Sequence, residues 1–187
     1  MLRRGFKSWC ESVSVRFRKN LGKDSDSPLS PHELAAHLNI KLKQPAELPN
    51  ISRDTLNTLL QTESDSWSAV TLSKENIHLI IYNNSHAATR QANDIMHELS
   101  HIILQHRPQA NFYSKEAGAL LRQYDQNQED EADCLARILL LPRDALFKIK
   151  SQAISHDQAA RVYGVSKPLF TMRWHLSGID KIYKNHS

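Results

Sequence analysis

The chain has 187 residues, 40 % of them hydrophobic, and a formal net charge of +4. That suits one well-cored globular domain with a small appendage and excludes a disordered or fibrous chain. Its two cysteines, Cys10 and Cys134, are too few for a disulfide framework or a thiolate metal cluster, and no apolar run is long enough for a membrane span or a secretory signal, so a soluble, cytoplasmic protein is expected.

Charge is spread unevenly. Residues 1–23 carry seven Lys/Arg against Glu11 alone, residues 143–187 carry eight against three acids, and the stretch between holds nine against sixteen. Basic flanks can meet nucleic acid or a membrane surface, but they can equally dock on the acidic middle, and docking is the expectation.

Leu2, Phe6, Trp9, Val13, Phe17 and Leu21 recur at helical spacing, with Arg3, Arg4, Lys7, Arg18 and Lys19 mostly off that stripe. This is a basic amphipathic helix whose apolar face is expected to pack on the domain. The turn residues "GKDSDSP" then break the chain, so residues 1–27 read as helix and linker and 28–187 as the main domain. Ser30-Pro31-His32-Glu33 opens a short helix with an N-cap serine, proline at the first helical position and glutamate at the third. "IKLKQP" suggests a short strand, and Leu56, Leu59 and Leu60 a helix after Ser52. "WSAVTL" and "IHLIIY", separated by "SKEN", predict a strand pair. From Thr89 the pattern turns helical: one helix to about His106, a second through Ala117, Leu120, Leu121 and Tyr124, and a third from Gln128 to Leu141, stopped by Pro142. Short strands followed by helices indicate an α+β fold, a small antiparallel sheet packed on a helical bundle.

The helix around "DIMHELSHIIL" carries the chemistry. Ala92, Ile95, Met96, Leu99, Ile102 and Ile103 form one apolar face, and His97 and His101 lie opposite it. Residues four apart are helix neighbours, so both imidazoles can grip one ion, and Glu98, about 100° round from His97, stands where a general base for water belongs. Extension to HExxHxxGxxH fails, because Leu104 and Arg107 occupy the glycine and final histidine positions. A third ligand must therefore come from elsewhere. The later stretch "QEDEADCLARILLLP" offers Glu129, Asp130, Glu131 and Asp133; Ala132, Leu135, Ala136 and Leu139 form its buried stripe, and Glu131 lies at the margin of that stripe. A run of acids at a helix start is also what the helix dipole favours.

"IMHELSHIIL", then "DEADCLARILLLP", then "AARVYGVSKPLFTMRW" together resemble the ImmA/IrrE family of metallo-endopeptidases, over about Leu29 to Trp174. The resemblance implies a zincin-like domain that binds Zn2+ through His97, His101 and the glutamate of the EA pair, Glu131, with Glu98 as catalytic acid/base. It also implies a protein substrate, a helix-turn-helix transcriptional repressor. Two departures stand out: Ser100 replaces the usual glycine, and Cys134-Leu135 replace the usual residues before Ala136.

"QAARVYGVSKPLFTMRWHL" also looks like a DNA-binding helix-turn-helix, with Lys167, Arg173 and His175 as possible contacts. A helical corner completing the core accounts for the same residues and is favoured, with Pro168 and Phe170 read as packing. The alternative to a peptidase is thus a zinc-stabilised DNA- or protein-binding regulator. The remaining histidines, His32, His37, His78, His86, His106, His156 and His186, read as surface or structural.

Overall fold

The computed structural model describes residues 2–74, 77–106, 111–114, 119–122 and 125–184. Helix α1 (Phe6–Asn20) buries Phe6, Val13 and Phe17 as its stripe requires, but Trp9 is half-exposed and stacks on Phe6, while Cys10, Ser14 and Arg18 turn inward. The inward face is therefore rotated from the one that apolarity alone marks. Arg18 explains the rotation. Its guanidinium donates to the Leu139 carbonyl at 2.8 Å, to Ser14 Oγ at 2.6 Å and to the Ser27 carbonyl at 2.7 Å. Burial is tolerated because these acceptors replace water, although it lowers the guanidinium pKa to about 10.

Helix α2 (Pro31–His37) starts at Ser30 with the expected capping box, Ser30 accepting from the His32 N–H and Glu33 reaching back to the Ser30 N–H. Strand β1 (Lys41–Lys43) follows, then α3 (Arg53–Asn57), capped by Ser52 and continued by a wider turn over Thr58–Thr62. Strands β2 (Ala69–Lys74) and β3 (Ile77–Tyr82) pair antiparallel as predicted. The sheet is nevertheless mixed: its order is β1-β3-β2, with β1 parallel to β3 through Leu42 and Ile80. Because β3 is the central strand, the edges of this sheet among the described residues are β1 and β2.

Helix α4 (Ala88–Ile103) packs against the sheet and against α5 (Gln126–Leu140). Ile95, Met96 and Leu99 of α4 meet Leu135, Ala136 and Leu139 of α5 in one cluster that also takes Cys10, Val13 and Phe17 of α1. Each fully buried leucine contributes about 2 kcal/mol through the water it escapes. Ser100, standing where the resembled family has glycine, is fully buried and folds its hydroxyl back onto the Met96 carbonyl at 2.8 Å, so it needs no partner outside the helix.

The predicted helix through Leu120 and Leu121 is corrected. Those two residues lie in β5 (Ala119–Arg122), paired antiparallel with β4 (Asn111–Ser114); Ala117 and Tyr124 fall outside the described residues. Four apolar positions were too few to separate a helical period from a short strand, and pairing with β4 decides in favour of the strand.

Helices α6 (Arg143–Ser151), α7 (His156–Val162), α8 (Lys167–Ser177) and α9 (Ile179–Lys184) close the domain. The α7–α8 corner turns at Gly164, whose φ of 63° suits a residue without Cβ, and Ser166 caps α8. Phe170 and Trp174 are buried and stacked. Pro168 instead is exposed and serves the first turn of α8. Arg173 points inward, donating to the Leu141 carbonyl at 3.0 Å and to Glu11 of α1, so it is no DNA contact; Lys167 is paired with Asp157 at 2.8 Å. Removing Glu11 leaves this buried guanidinium unpaired, and Glu11→Ala is expected to cost about 3–5 kcal/mol of stability, read by urea unfolding. Among the described residues no helix is long and apolar enough to cross a membrane.

Candidate metal centre

Helices α4 and α5 lie side by side with their polar faces adjoining, which places the histidines of one beside the acids of the other. His97 Nε2 and His101 Nε2 stand 3.0 Å apart, and Glu129 Oε2 lies 3.1 Å from the first and 3.5 Å from the second. Donor atoms at tetrahedral angles around a common ion at about 2.1 Å stand roughly 3.4 Å from one another. The three atoms thus already form one face of such a tetrahedron, and they are the one group of described His, Cys, Asp and Glu side chains close enough to hold a metal. Two imidazole nitrogens and a carboxylate oxygen are a donor set suited to a borderline divalent ion.

Glu131 is not in that group. Its Oε2 lies 3.3 Å from His106 Nε2, and its Oε1 is 3.7 Å from Arg3 Nε. Two residues along a helix is a 200° rotation, so Glu129 and Glu131 cannot both face α4. The carboxylate implied by the family resemblance and the carboxylate that meets the histidines are therefore different residues.

Both histidines are oriented from behind. His97 Nδ1 sits 3.0 Å from Asp133 Oδ1, and Arg137 holds the other oxygen of Asp133. His101 Nδ1 sits 2.9 Å from His106 Nδ1, and Glu131 follows. Such outer partners fix ring orientation and tautomer, leaving Nε2 of each ring toward the shared point. Electrostatics divides the two rings. Burial opposes charge on His97, but the hydrogen bond and charge of Asp133, with Glu98 and Glu129 nearby, prevail and raise its pKa. Burial and the neighbouring His97 push His101 down to about 4, only partly offset by Glu129. Asp133 is kept ionised by its hydrogen bond to His97, with Arg137 adding to the effect. The result is negative charge gathered around two imidazoles, a setting that a cation satisfies.

Glu98, one residue on from His97, is held by a hydrogen bond from Thr71 Oγ1 of β2 to its Oε2. Alternation along β2 turns Thr71 toward α4 while Val70 and Leu72 remain exposed on the other face. Glu98 and the edge strand β2 are thus joined by one side-chain contact. On the other side of the site an open groove of about 420 Å³ shares Asp133 and Arg137 and is walled by Arg90, Asn93 and Met172.

The sequence offers Asp133 only as one of four candidate ligands, marks His106 as surface or structural, and does not single out Thr71. Asp133 had a usable signal, since it lies four residues after Glu129 and shares its face. His106 had none, because it follows the helix. The α4 C-terminus closes with His106 N–H on the His101 carbonyl and Gln105 N–H on the Ile102 carbonyl, both at 3.0 Å, with Gln105 at φ 54°. That left-handed turn swings His106 back over His101. Of the other histidines, His32, His37 and His156 make ring contacts, His78 bonds Ser73 and His86 bonds the Ser64 carbonyl; His186 lies outside the described residues.

Residues 53–175 match the family model described as Peptidase_M78, IrrE N-terminal-like domain. No curated protein matches the chain.

Proposed function

Because the chain belongs to the IrrE N-terminal-like family of M78 metallopeptidases, we propose that it is a cytoplasmic, zinc-dependent endopeptidase whose substrate is a helix-turn-helix transcriptional repressor. The observation that carries the reading is the meeting of His97, His101 and Glu129 beside a glutamate, Glu98, that the sheet holds in place. His97, His101 and Glu129 would hold the zinc, which when bound polarises the scissile carbonyl and lowers the pKa of water to about 7. Glu98 accepts the proton of the attacking water and returns it to the leaving amine. Thr71 occupies one carboxylate oxygen of Glu98 and so presents the other for that transfer. Asp133 with Arg137, and His106 with Glu131, keep the two histidine rings from rotating. The open edge of β2 supplies main-chain hydrogen bonds for an extended segment of substrate, and pairing along it draws that segment past Glu98.

Strand pairing requires a chain that is already extended, which favours a flexible or exposed linker over a folded domain as the cleaved segment. The zinc-loaded protein is expected to cut a helix-turn-helix repressor from the same genome, encoded beside it, at one discrete position and to leave casein largely intact. Electrophoresis and mass analysis with and without chelator test this. Efficient casein digestion with an untouched repressor would replace the narrow reading with a general peptidase.

A further inference from the structure

We propose that Arg90 builds a specificity subsite that takes a glutamate side chain of the substrate, about three residues from the scissile bond. The inference rests on the peptidase reading and adds to it a feature that the substrate must carry. The site is the groove of about 420 Å³ beside the metal centre. Helix α4 brings Arg90 and Asn93 to it, α5 brings Asp133 and Arg137, and α8 brings Leu169 and Met172. The groove continues directly from the metal centre, because Asn93 stands one helical turn before His97 and Asp133 bonds His97 Nδ1.

Two contacts fix where the groove lies along a bound chain. Arg90 Nη2 donates to Ser68 Oγ at 3.3 Å, and Thr71 Oγ1 donates to Glu98. Strand β2 and helix α4 therefore run side by side in the same direction. Three residues of extended chain from Ser68 to Thr71 cover about 10 Å, and the helical rise from Arg90 to Glu98 covers about 12 Å. A segment lying along β2 with its scissile bond at Glu98 thus has the residue about three positions away level with Arg90.

The lining selects the side chain. Leu169 and Met172 offer apolar surface to an aliphatic stem. Asp133 is already bonded by Arg137 and by His97, and Arg137 Nη1 lies 3.4 Å from Met172 Sδ. Arg90 differs, because the carboxylates nearest to it stand beyond hydrogen-bonding distance: Asp65 Oδ1 is 3.7 Å from Nη1 and Asp94 Oδ2 is 3.8 Å from Nε. Asp65 projects into solvent, and Asp94 Oδ2 is buried facing His86 Nδ1 at 3.8 Å. Arg90 itself is half-exposed, so a carboxylate arriving in the groove can exchange these distant pairs for a charge-assisted hydrogen bond. Glutamate fits both features, its methylenes covering Leu169 and Met172 while its carboxylate meets the guanidinium. A lysine in the same place would face Arg90 and Arg137 with like charge.

The test reads binding and cleavage separately. Zinc-loaded Glu98→Gln protein is immobilised and offered a random peptide library free of histidine and cysteine, and the retained peptides are sequenced by mass spectrometry. The parent then cuts the same library, and the cut sites locate the selected position. Glutamate is expected at one position about fivefold over lysine, about three residues from the cut. Adding Arg90→Glu should reverse the preference to lysine at that position, and adding Arg90→Lys should preserve it. Retained peptides with no acidic preference, an acidic preference spread evenly over all positions, or a profile that Arg90→Glu leaves unchanged would overturn the subsite. A parent that cuts nothing while the retained peptides keep their Arg90-dependent preference would sink the peptidase reading and leave the selection of glutamate standing.

Discussion

Glu98→Gln is expected to keep the metal and the fold while losing peptide cleavage by about 10²-fold or more. The amide has nearly the volume of the carboxylate, and its oxygen can still accept from Thr71, so the contact between β2 and α4 survives. What it cannot do is take a proton from water. A general base contributes about 10²–10⁴-fold, and the described carboxylates around the histidines are otherwise engaged: Glu129 is turned to the histidines, Asp133 to His97 and Arg137, and Glu131 to His106. The measurement is single-turnover cleavage alongside zinc content and melting temperature. Parent-like cleavage in a variant with full zinc would remove Glu98 from the mechanism.

How much of this was legible beforehand depended on how long each pattern runs. Helix α4 offers sixteen residues of unbroken period, and its division into a buried Ile95-Met96-Leu99 face and an opposite His97-His101 face followed from the wheel alone. The buried stripe of α5 was legible for the same reason. Its acidic first turn was not. With Glu129, Asp130, Glu131 and Asp133 all near the N-terminus, the choice among them depends on how α5 is rotated against α4. That rotation is set by contacts no local pattern contains. They include Arg18 of α1 donating to the Leu139 carbonyl, Ser14 Oγ donating to the Ile138 carbonyl at 3.2 Å, and the Asp125 side chain accepting from Asn127 and Gln128 N–H groups to start the helix.

The sheet shows the same limit. The β2–β3 pair was readable from two apolar runs, but a three-residue β1 added in parallel changes which edge is free. Short strands have too few side chains to declare their partners. In α8, likewise, a basic residue at a helix-turn-helix position was legible as Arg173, whereas its burial against Glu11 of α1 depends on a contact between opposite ends of the chain.

Zinc retention should separate the two carboxylates. Glu129→Ala is expected to lose stoichiometric zinc, whereas Glu131→Ala keeps one zinc per chain. Glu129 Oε2 lies within 3.5 Å of both imidazole Nε2 atoms, so its loss removes one of three protein donors and leaves an incomplete site that competes poorly with water. Glu131 reaches the centre only through His106 and then His101. Removing an outer partner of this kind costs about 10–100-fold in metal affinity, which a site with three intact donors tolerates during purification. Truncating His106 to alanine should have the same modest effect as Glu131→Ala, because the first removes the partner of His101 Nδ1 and the second removes the carboxylate that holds that partner. Competition against a chromophoric chelator measures all three variants on one scale. Loss of zinc from Glu131→Ala together with retention in Glu129→Ala would reverse the assignment, and would require α5 to turn by about half a revolution when the ion binds, against the buried stripe of Leu135, Ala136 and Leu139 that holds it.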